Sequence, residues 1–147
     1  MASLRTRAYL FYSRFARPLT GGVRVMVREG DAVLLVRHTY IAGWHMPGGG
    51  VDPGETFEAA ARRELREEAM VEAEALTLRS LHLNRASGRD HVAFYTCDAF
   101  TRGEFQPSRE IAEAAFFPID ALPEETNDAT RARIAEAVGE RDPDPYW

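Results

Sequence analysis

The chain has 147 residues, of which 45% are hydrophobic and 28% are charged. These proportions are ordinary for a soluble globular protein, and the length suits a single domain with a substantial core, predicted over residues 1–147. The net charge of −5 excludes the broad cationic surface that extended nucleic-acid binding needs, but it leaves room for a small basic pocket.

Nothing in the sequence indicates export or a membrane span. No stretch approaches the roughly 20 apolar residues that cross a bilayer, and the N-terminus lacks the pattern of a signal peptide. The only cysteine, Cys97, follows an apolar run, which predicts a buried, unreactive thiol and no internal disulfide. We therefore expect a cytoplasmic protein without a membrane partner, because a free thiol fits a reducing compartment.

The first predicted element is a short helix before Pro18. Residues 3–18 interleave four aromatic residues with four arginines, which are Tyr9, Phe11, Tyr12, Phe15, Arg5, Arg7, Arg14 and Arg17. We expect this N-terminal extension to pack its apolar side on the domain or on a partner subunit, which is compatible with a homodimer. A helix that lies on a membrane surface is the alternative interpretation, and the sequence favours it less.

The next segment predicts a β-hairpin followed by a loop. Two apolar runs, Gly22 to Val27 and Ala32 to Arg37, are joined by the turn Glu29-Gly30-Asp31, a pattern typical of a hairpin. Residues 41–54 contain five glycines and two prolines, so they predict a loop with special backbone demands.

The rest of the chain mixes helices and strands. Residues 56–70 have a helical composition without glycine or proline. Further elements are strands at 76–83 and 91–100 with a turn at 87–90 between them, a shorter apolar segment at 114–118, an amphipathic helix at 128–138 and a tail at 142–147. A mixed α/β fold is the simplest interpretation.

The predicted helix carries its acids on an unexpected face. At about 100° per residue, Glu67 and Glu68 flank Glu64, and all three lie along the apolar stripe of the helix. That stripe consists of Phe57, Ala60, Ala61 and Leu65. A solvated helix with i,i+4 ion pairs would place its acids opposite such a stripe, so the pattern favours another role for them.

A divalent metal ion would explain this arrangement. Carboxylates clustered beside an apolar surface repel one another and lose hydration unless a cation compensates them. Mg²⁺ and Ca²⁺ prefer such oxygen ligands, whereas a zinc site is poorly supported by one cysteine and four scattered histidines. The glycines before the helix allow backbone to approach a ligand closely, although an isolated Pro47-Gly48-Gly49 would be an ordinary turn.

Taken together, these residues resemble the Nudix box, G-x5-E-x7-R-E-U-x-E-E-x-G-U, in which U is apolar. The match runs over Gly49–Val71 and includes Glu55 and the run Arg63-Glu64-Leu65-Arg66-Glu67-Glu68. The chain is thus similar to the Nudix hydrolases, also called MutT-like proteins. One position departs, because Met70 stands where the box has its second glycine. We expect there that the helix continues slightly or that its exit loop differs.

The resemblance implies a fold and a metal site. The fold is the α/β/α sandwich of the family, in which helices flank a mixed sheet. Glu64, Glu67 and Glu68 are the implied ligands of Mg²⁺, with Mn²⁺ as an alternative ion. The Gly48 carbonyl is an implied further ligand.

Other residues receive supporting roles from the same resemblance. Arg63 would orient the glutamates, while Glu55 and Gly49 would support the site. The family often adds an acid from a later loop, for which Glu113 and Glu110 are candidates; each is equally compatible with a solvated turn.

The implied reaction is Mg²⁺-dependent hydrolysis of a diphosphate linkage in a small nucleotide-like substrate. Glu67 or a distal acid would accept the proton of the attacking water, and the sequence does not decide between them. Arg37 is a candidate for binding a phosphate, and a surface cation explains it equally well. Candidates for stacking on a base are Tyr40, Trp44, Phe94 and Tyr95, although a core role is the favoured interpretation of these aromatic residues.

Two other functions are compatible with these residues. One is a catalytically idle Nudix-fold module that binds a nucleotide or a protein. The other is a structural protein in which the acidic helix binds calcium for stability.

Overall fold

The structure, a computed structural model, describes residues 4–16 and 18–147. The helices in this part of the chain are α1 (Leu4–Ala16), α2 (Phe57–Ala69) and α3 (Asp128–Ala137). The strands are β1 (Thr20–Glu29), β2 (Ala32–His38), β3 (Trp44–His45), β4 (Val71–Ala73), β5 (Thr77–Asn84), β6 (Asp90–Cys97), β7 (Phe100–Arg102) and β8 (Ile111–Pro118). A short 3-10 turn covers Ile119–Ala121.

The central sheet is mixed. Its strand order is β3-β2-β1-β6-β5, and β8 also pairs with β2. Strands β1 and β6 run parallel, whereas the other pairs in this sheet run antiparallel. The predicted hairpin between β1 and β2 is confirmed, and Gly30 at its turn has a positive φ of 58°, which glycine adopts without strain.

The predicted strand at 91–100 is divided in two. Strand β6 ends at Cys97, and β7 leaves the central sheet to pair with β4 in a separate two-stranded sheet. Cys97 is a buried free thiol, as expected, and burial raises its pKa.

Helices cover both faces of the central sheet, because successive residues of a strand point to opposite faces. In β2, Leu34 and Val36 belong to one buried cluster with Leu65 of α2. Leu35 belongs to a second cluster with Ile134 of α3. The expected α/β/α sandwich is therefore confirmed, and α2 is one of its two outer layers.

Helix α1 does not pack closely on the domain, which was one of its two expected sites; packing on a partner subunit stays a prediction. It forms before Pro18, as predicted, but none of its residues is buried. The buried clusters on the two faces of the sheet are instead covered by α2 and α3. No helix in the described part of the chain is long and apolar enough to cross a bilayer.

The end of α2 also differs from the expectation. The helix stops at Ala69 and does not continue, and Met70 itself takes up the left-handed conformation, with φ 55° and ψ 35°. The Met70 N–H still bonds to the Arg66 carbonyl at 3.2 Å. Methionine thus occupies the helix-ending conformation that normally favours glycine.

We expect Met70→Gly to raise the free energy of unfolding by about 0.5–1 kcal/mol. Relief of the left-handed conformation, worth ~1–2 kcal/mol, exceeds the extra entropy that glycine loses on folding. Urea unfolding followed by circular dichroism measures the change. Met70→Ala is the matched control, because it keeps the Cβ and should gain no stability; equal gains in both variants would contradict the explanation.

The C-terminal tail is fixed by a buried ion pair on α3. Arg133 and Glu136 are both almost fully buried, with 2.7 Å between Arg133 Nη2 and Glu136 Oε1. Glu136 also accepts from the Asp144 N–H at 3.0 Å, and Arg133 donates to the Tyr146 carbonyl at 2.8 Å. The tail therefore lies along β5, where the Trp147 N–H donates to the Leu83 carbonyl at 3.0 Å and the Leu83 N–H donates to the Pro145 carbonyl at 2.9 Å.

We expect Glu136→Leu to lower the free energy of unfolding by about 3–5 kcal/mol, because it leaves the buried Arg133 cation without its carboxylate. Thermal and urea unfolding measure the loss. Glu140→Leu, at an exposed position close to the end of the same helix, should change stability by no more than about 0.5 kcal/mol. A similar loss in both variants would show that the ion pair is not the cause.

Candidate functional site

The glycine-rich loop docks on the edge of β1 before it enters α2. The Val23 and Val25 N–H groups bond to the Gly49 and Pro47 carbonyls, each at 2.9 Å, and the Val51 N–H bonds to the Gly21 carbonyl at 2.8 Å. These backbone bonds fix the loop beside the sheet. The start of α2 is fixed in turn by the Thr56 hydroxyl, which caps the Ala59 N–H at 3.1 Å.

Two glycines in this loop allow contacts that a side chain would prevent. Gly48 has a φ of +148°, and a Cβ there would overlap the Val23 carbonyl. A Cβ on Gly49 would lie 2.5 Å from Glu64 Oε1. The loop backbone therefore lies directly against β1 on one side and against a carboxylate of α2 on the other.

Glu68 is a buried carboxylate with two partners. Its Oε1 lies 3.0 Å from His38 Nε2, and its Oε2 accepts from the Gly48 N–H at 2.8 Å. The other ring nitrogen of His38, Nδ1, is buried and has no hydrogen-bond partner among the described residues. Glu68 thus links the end of β2 to the glycine loop.

Arg63 connects the loop to the acids of α2. Its guanidinium donates to both carboxylate oxygens of Glu55, at 2.9 and 3.0 Å, to Glu64 Oε1 at 2.6 Å and to the Gly50 carbonyl at 2.9 Å. The hydrogen bonds to Glu55 and then to Glu64 raise the pKa of Arg63, and they hold the pKa of Glu55 below its usual range. The supporting positions predicted for Arg63 and Glu55 match these contacts.

Glu64 is only partly compensated by its partner Arg63. Burial raises its pKa; the hydrogen bond from Arg63 opposes the rise, and the nearby carboxylates of Glu68 and Glu67 add to it. A carboxylate in this position is stabilised in its charged form by an additional positive charge.

Glu64 and Glu68 line the same cleft, which has a volume of about 410 Å³. Its wall is mostly polar and is made by the glycine loop, the ends of β1 and β2, and the start of α3. The lining residues are Arg24, His38, Tyr40, Ile41, His45, Gly48, Gly49, Gly50, Glu64, Glu68, Glu110, Asn127, Thr130 and Trp147.

Glu67 does not line this cleft. Its side chain is 62% exposed, and its closest charged partner is Arg63, whose Nη1 lies 3.5 Å from Glu67 Oε2. Within residues 4–16 and 18–147, no three acidic, histidine or cysteine side chains are already grouped as a metal site. The structure brings two of the three predicted carboxylates together and leaves the third beside them, in solvent.

Arg37, Trp44 and Glu113 are placed differently from the sequence-based expectation. Arg37 and Glu113 face each other on β2 and β8 and form an ion pair. The Trp44 ring packs on Phe117 with 4.8 Å between ring centroids, and the Arg37 guanidinium lies 5.9 Å from its centre. None of the three lines the main cleft. Glu110, the other candidate acid, does line it.

Arg24 and His38 line the cleft but were not predicted as site residues, whereas Tyr40, one of the aromatic candidates for stacking, also lines it. Arg24 lies on β1 and donates to the Gly48 carbonyl. A charged residue between the buried Val23 and Val25 is the one sequence signal that marks it. His38 and Tyr40 follow an apolar strand, and nothing in the sequence shows that they turn toward the acids of α2.

The described acids and carbonyls suit a hard divalent cation. The donors near the glycine loop are all oxygens, from Glu64, Glu68 and the Gly48 carbonyl, which is the set that Mg²⁺ prefers. Burial raises the pKa of Glu64, so a cation beside this carboxylate would stabilise its ionised form. These residues fit such an ion, although the Gly48 carbonyl also accepts from Arg24.

Comparison with known proteins identifies relatives. Human 8-oxo-dGDP phosphatase NUDT18 is 33% identical over 106 residues, which are 67% of this chain and 32% of that protein. A putative 8-oxo-dGTP diphosphatase of Bacillus subtilis is 44% identical over 48 residues, 33% of this chain and 32% of that protein. An RNA pyrophosphohydrolase of Erythrobacter litoralis is 46% identical over 55 residues, 36% of this chain and 34% of that protein. The matches span about one third of the length of these relatives.

Solved structures show the same fold. A MutT Nudix hydrolase from Burkholderia pseudomallei superposes with a TM-score of 0.69 at 27% identity, covering 80% of this chain and 96% of that chain. An ADP-ribose pyrophosphatase from Streptococcus suis has a TM-score of 0.65 at 25% identity, with 82% and 92% covered. A family model described as the NUDIX domain matches residues 18–138, which is most of the chain. The chain therefore belongs to the NUDIX domain family.

Proposed function

We propose that this protein is a Nudix hydrolase that cleaves a diphosphate linkage in a nucleotide-like substrate with the help of Mg²⁺. The observation that carries the proposal is the cleft of about 410 Å³ in which Glu64 and Glu68 lie beside the glycine loop. The relatives named as phosphatases, diphosphatases and pyrophosphohydrolases support the reaction class.

The metal would be held by Glu64, Glu68 and the Gly48 carbonyl, with Glu67 as a further carboxylate on the same helix. When bound, Mg²⁺ supplies charge neutralisation of the diphosphate and lowers the pKa of a water molecule. Glu67 is exposed and lies beside Arg63, and we propose that a different side-chain rotamer would bring its carboxylate to the metal.

Three groups of this chain would position the reacting parts. Arg63 fixes Glu64 to the loop through the Gly50 carbonyl and Glu55. His38 fixes Glu68 from the opposite side. Arg24 lines the cleft, where its guanidinium would attract the negatively charged phosphates. Protein groups in phosphoryl transfer act mainly by such positioning and charge stabilisation.

A carboxylate must accept the proton of the attacking water. We propose Glu110 for this role in place of Glu113, because Glu110 lines the cleft whereas Glu113 is paired with Arg37. Glu67 is the competing candidate, since it lies on the same helix as Glu64 and Glu68.

The substrate class follows from the remaining cleft residues. Tyr40 and Trp147 supply aromatic surface for a base, while Asn127 and Thr130 supply polar groups at the start of α3. The relatives are named for nucleotides that carry a diphosphate or a longer phosphate chain. We therefore propose a nucleoside diphosphate, a nucleoside triphosphate or a nucleotide joined to a second group as the substrate.

We expect Glu68→Gln to lower kcat by about 100-fold or more, because loss of the carboxylate charge removes electrostatic stabilisation that the reaction needs. The assay measures release of phosphate or pyrophosphate with Mg²⁺ from nucleoside triphosphates, nucleotide sugars, dinucleotides and ADP-ribose. Glu67→Gln is tested in parallel and should also lose activity.

Glu72→Gln is the matched control, since Glu72 is exposed and lies on β4, three residues after the end of α2. It should retain full activity. Full activity in both Glu67→Gln and Glu68→Gln would contradict the proposed site. If the native, folded protein binds nucleotides but releases no product from any compound, the idle binding module becomes the better explanation.

We expect Arg63→Lys to lower kcat/KM by about 10–100-fold with little change in the thermal unfolding midpoint. Lysine keeps the charge but cannot make the two parallel bonds to Glu55 together with the bonds to Glu64 and Gly50. Arg66→Lys is the control, because Arg66 is half-exposed on the same helix and its ion-pair distance to Glu72 is 3.7 Å. Equal activity of the Arg63 and Arg66 variants would refute the positioning role.

A further inference from the structure

Helix α1 exposes an apolar stripe that no other described part of the chain covers. Leu4, Phe11 and Phe15 are 83%, 70% and 68% exposed, and no residue of the helix is buried. Phe11 and Phe15 touch each other edge to face, with 5.3 Å between their ring centroids. A contiguous stripe of this kind marks a surface that binds another partner.

The arginines of α1 border this stripe on both sides. At about 100° per residue, Leu4, Phe11 and Phe15 fall within roughly 40° of one another. Arg7 and Arg14 lie along one edge of the stripe, and Arg5 lies along the other beside Tyr12. The surface of the helix therefore changes from apolar to cationic at both edges of the stripe.

The charge of α1 is opposite to that of the rest of the protein. The helix has three arginines and no acidic residue, whereas the whole chain has a net charge of −5. The remainder of the chain therefore carries −8. The cationic helix attracts an anionic partner, whereas the acidic remainder of the chain repels it. Stable attachment to such a partner therefore also needs the apolar stripe.

We infer that α1 binds an anionic lipid surface. Its aromatic and leucine side chains would enter the boundary between headgroups and acyl chains, while the arginines bordering the stripe reach the lipid phosphates. The charge complementarity and the two cationic borders of the stripe favour a lipid surface as the partner. A second copy of the chain would bring an acidic surface to the arginines, but it would also need an apolar groove to receive the stripe. The attachment is peripheral, since the helix has only 13 residues.

The test is sedimentation of the full chain with lipid vesicles. One set consists of phosphatidylcholine alone, and the other contains about one third phosphatidylglycerol to supply negative charge. We expect the native protein to sediment with the anionic vesicles at low salt and to bind at least about tenfold less to the neutral ones. Salt at about 0.5 M should release most of the bound protein.

Two double variants separate the apolar from the cationic contribution. Phe11→Ser with Phe15→Ser, and Arg7→Gln with Arg14→Gln, should each weaken binding about tenfold or more. Leu78→Ser is the matched control, because Leu78 is 52% exposed on β5 and should leave binding unchanged. All these variants should keep the native unfolding midpoint and nucleotide hydrolysis, since none of the changed residues is buried or lines the cleft.

Three outcomes would overturn the inference. One is the absence of binding to anionic vesicles by folded native protein. Another is equal binding by the native protein and the Phe11 and Phe15 variant. The third is a dimer, measured by light scattering, that dissociates on the same two substitutions and does not bind vesicles; that result would assign the stripe to a second copy of the chain.

Discussion

The hydrogen bonds of Arg63 hold the proposed site together. One guanidinium joins the helix start through Glu55, the acid of the cleft through Glu64 and the glycine loop through the Gly50 carbonyl. These parts belong to a helix and to a loop, and no other side chain in the described contacts bonds to all of them. The fork shape of arginine makes this possible, because several donors leave one rigid plane in different directions.

Close approach of backbone to carboxylate is the second constraint. The loop can lie against Glu64 because Gly49 lacks a Cβ. It can lie against β1 because Gly48 also lacks a Cβ. The Gly48 N–H then bonds to Glu68, so the same residue that makes room for the loop also holds one of the acids. The tight loop and the acidic helix thus depend on each other.

The sequence predicted the parts of the site that lie close together along the chain. The helical repeat placed Glu64, Glu67 and Glu68 along the apolar stripe of α2. The structure has Glu64 and Glu68 on the buried side, whereas Glu67 is exposed. Contacts that depend on the pairing of distant strands could not be predicted in this way. Arg37 and Glu113 face each other only because β2 and β8 pair in one register, which shifts directly after Arg37, and sequence periodicity carries no information about such long-range register.

The same limit applies to two local features, the packing of α1 and the end of α2. Whether α1 packs depends on which faces of the sheet other helices already cover, and this is a property of the whole fold. Met70 shows the opposite case, in which tertiary structure enforces a helix end that local preference opposes. The Gly103 N–H bonds to the Met70 carbonyl at 2.8 Å, and β4 begins at the next residue, so the chain must turn at this point whichever side chain is present.

The acids on the buried side of α2 make the folded protein less stable than an apolar stripe would, and the amount of compensation differs between them. Glu68 has His38 and the Gly48 N–H as partners. Glu64 has Arg63, but burial still raises its pKa, so its ionised form costs the folded state free energy at neutral pH. The folded state holds the Glu64 proton more tightly than the unfolded chain does. The free energy of unfolding therefore falls as the pH rises from the pKa of Glu64 in the unfolded chain to its higher pKa in the folded protein. A cation bound in the cleft would reverse that cost, because it favours the charged carboxylate. The buried Glu64 carboxylate would therefore gain free energy from a positive ion bound in the polar cleft, and this gain would connect the stability of α2 to the proposed chemistry.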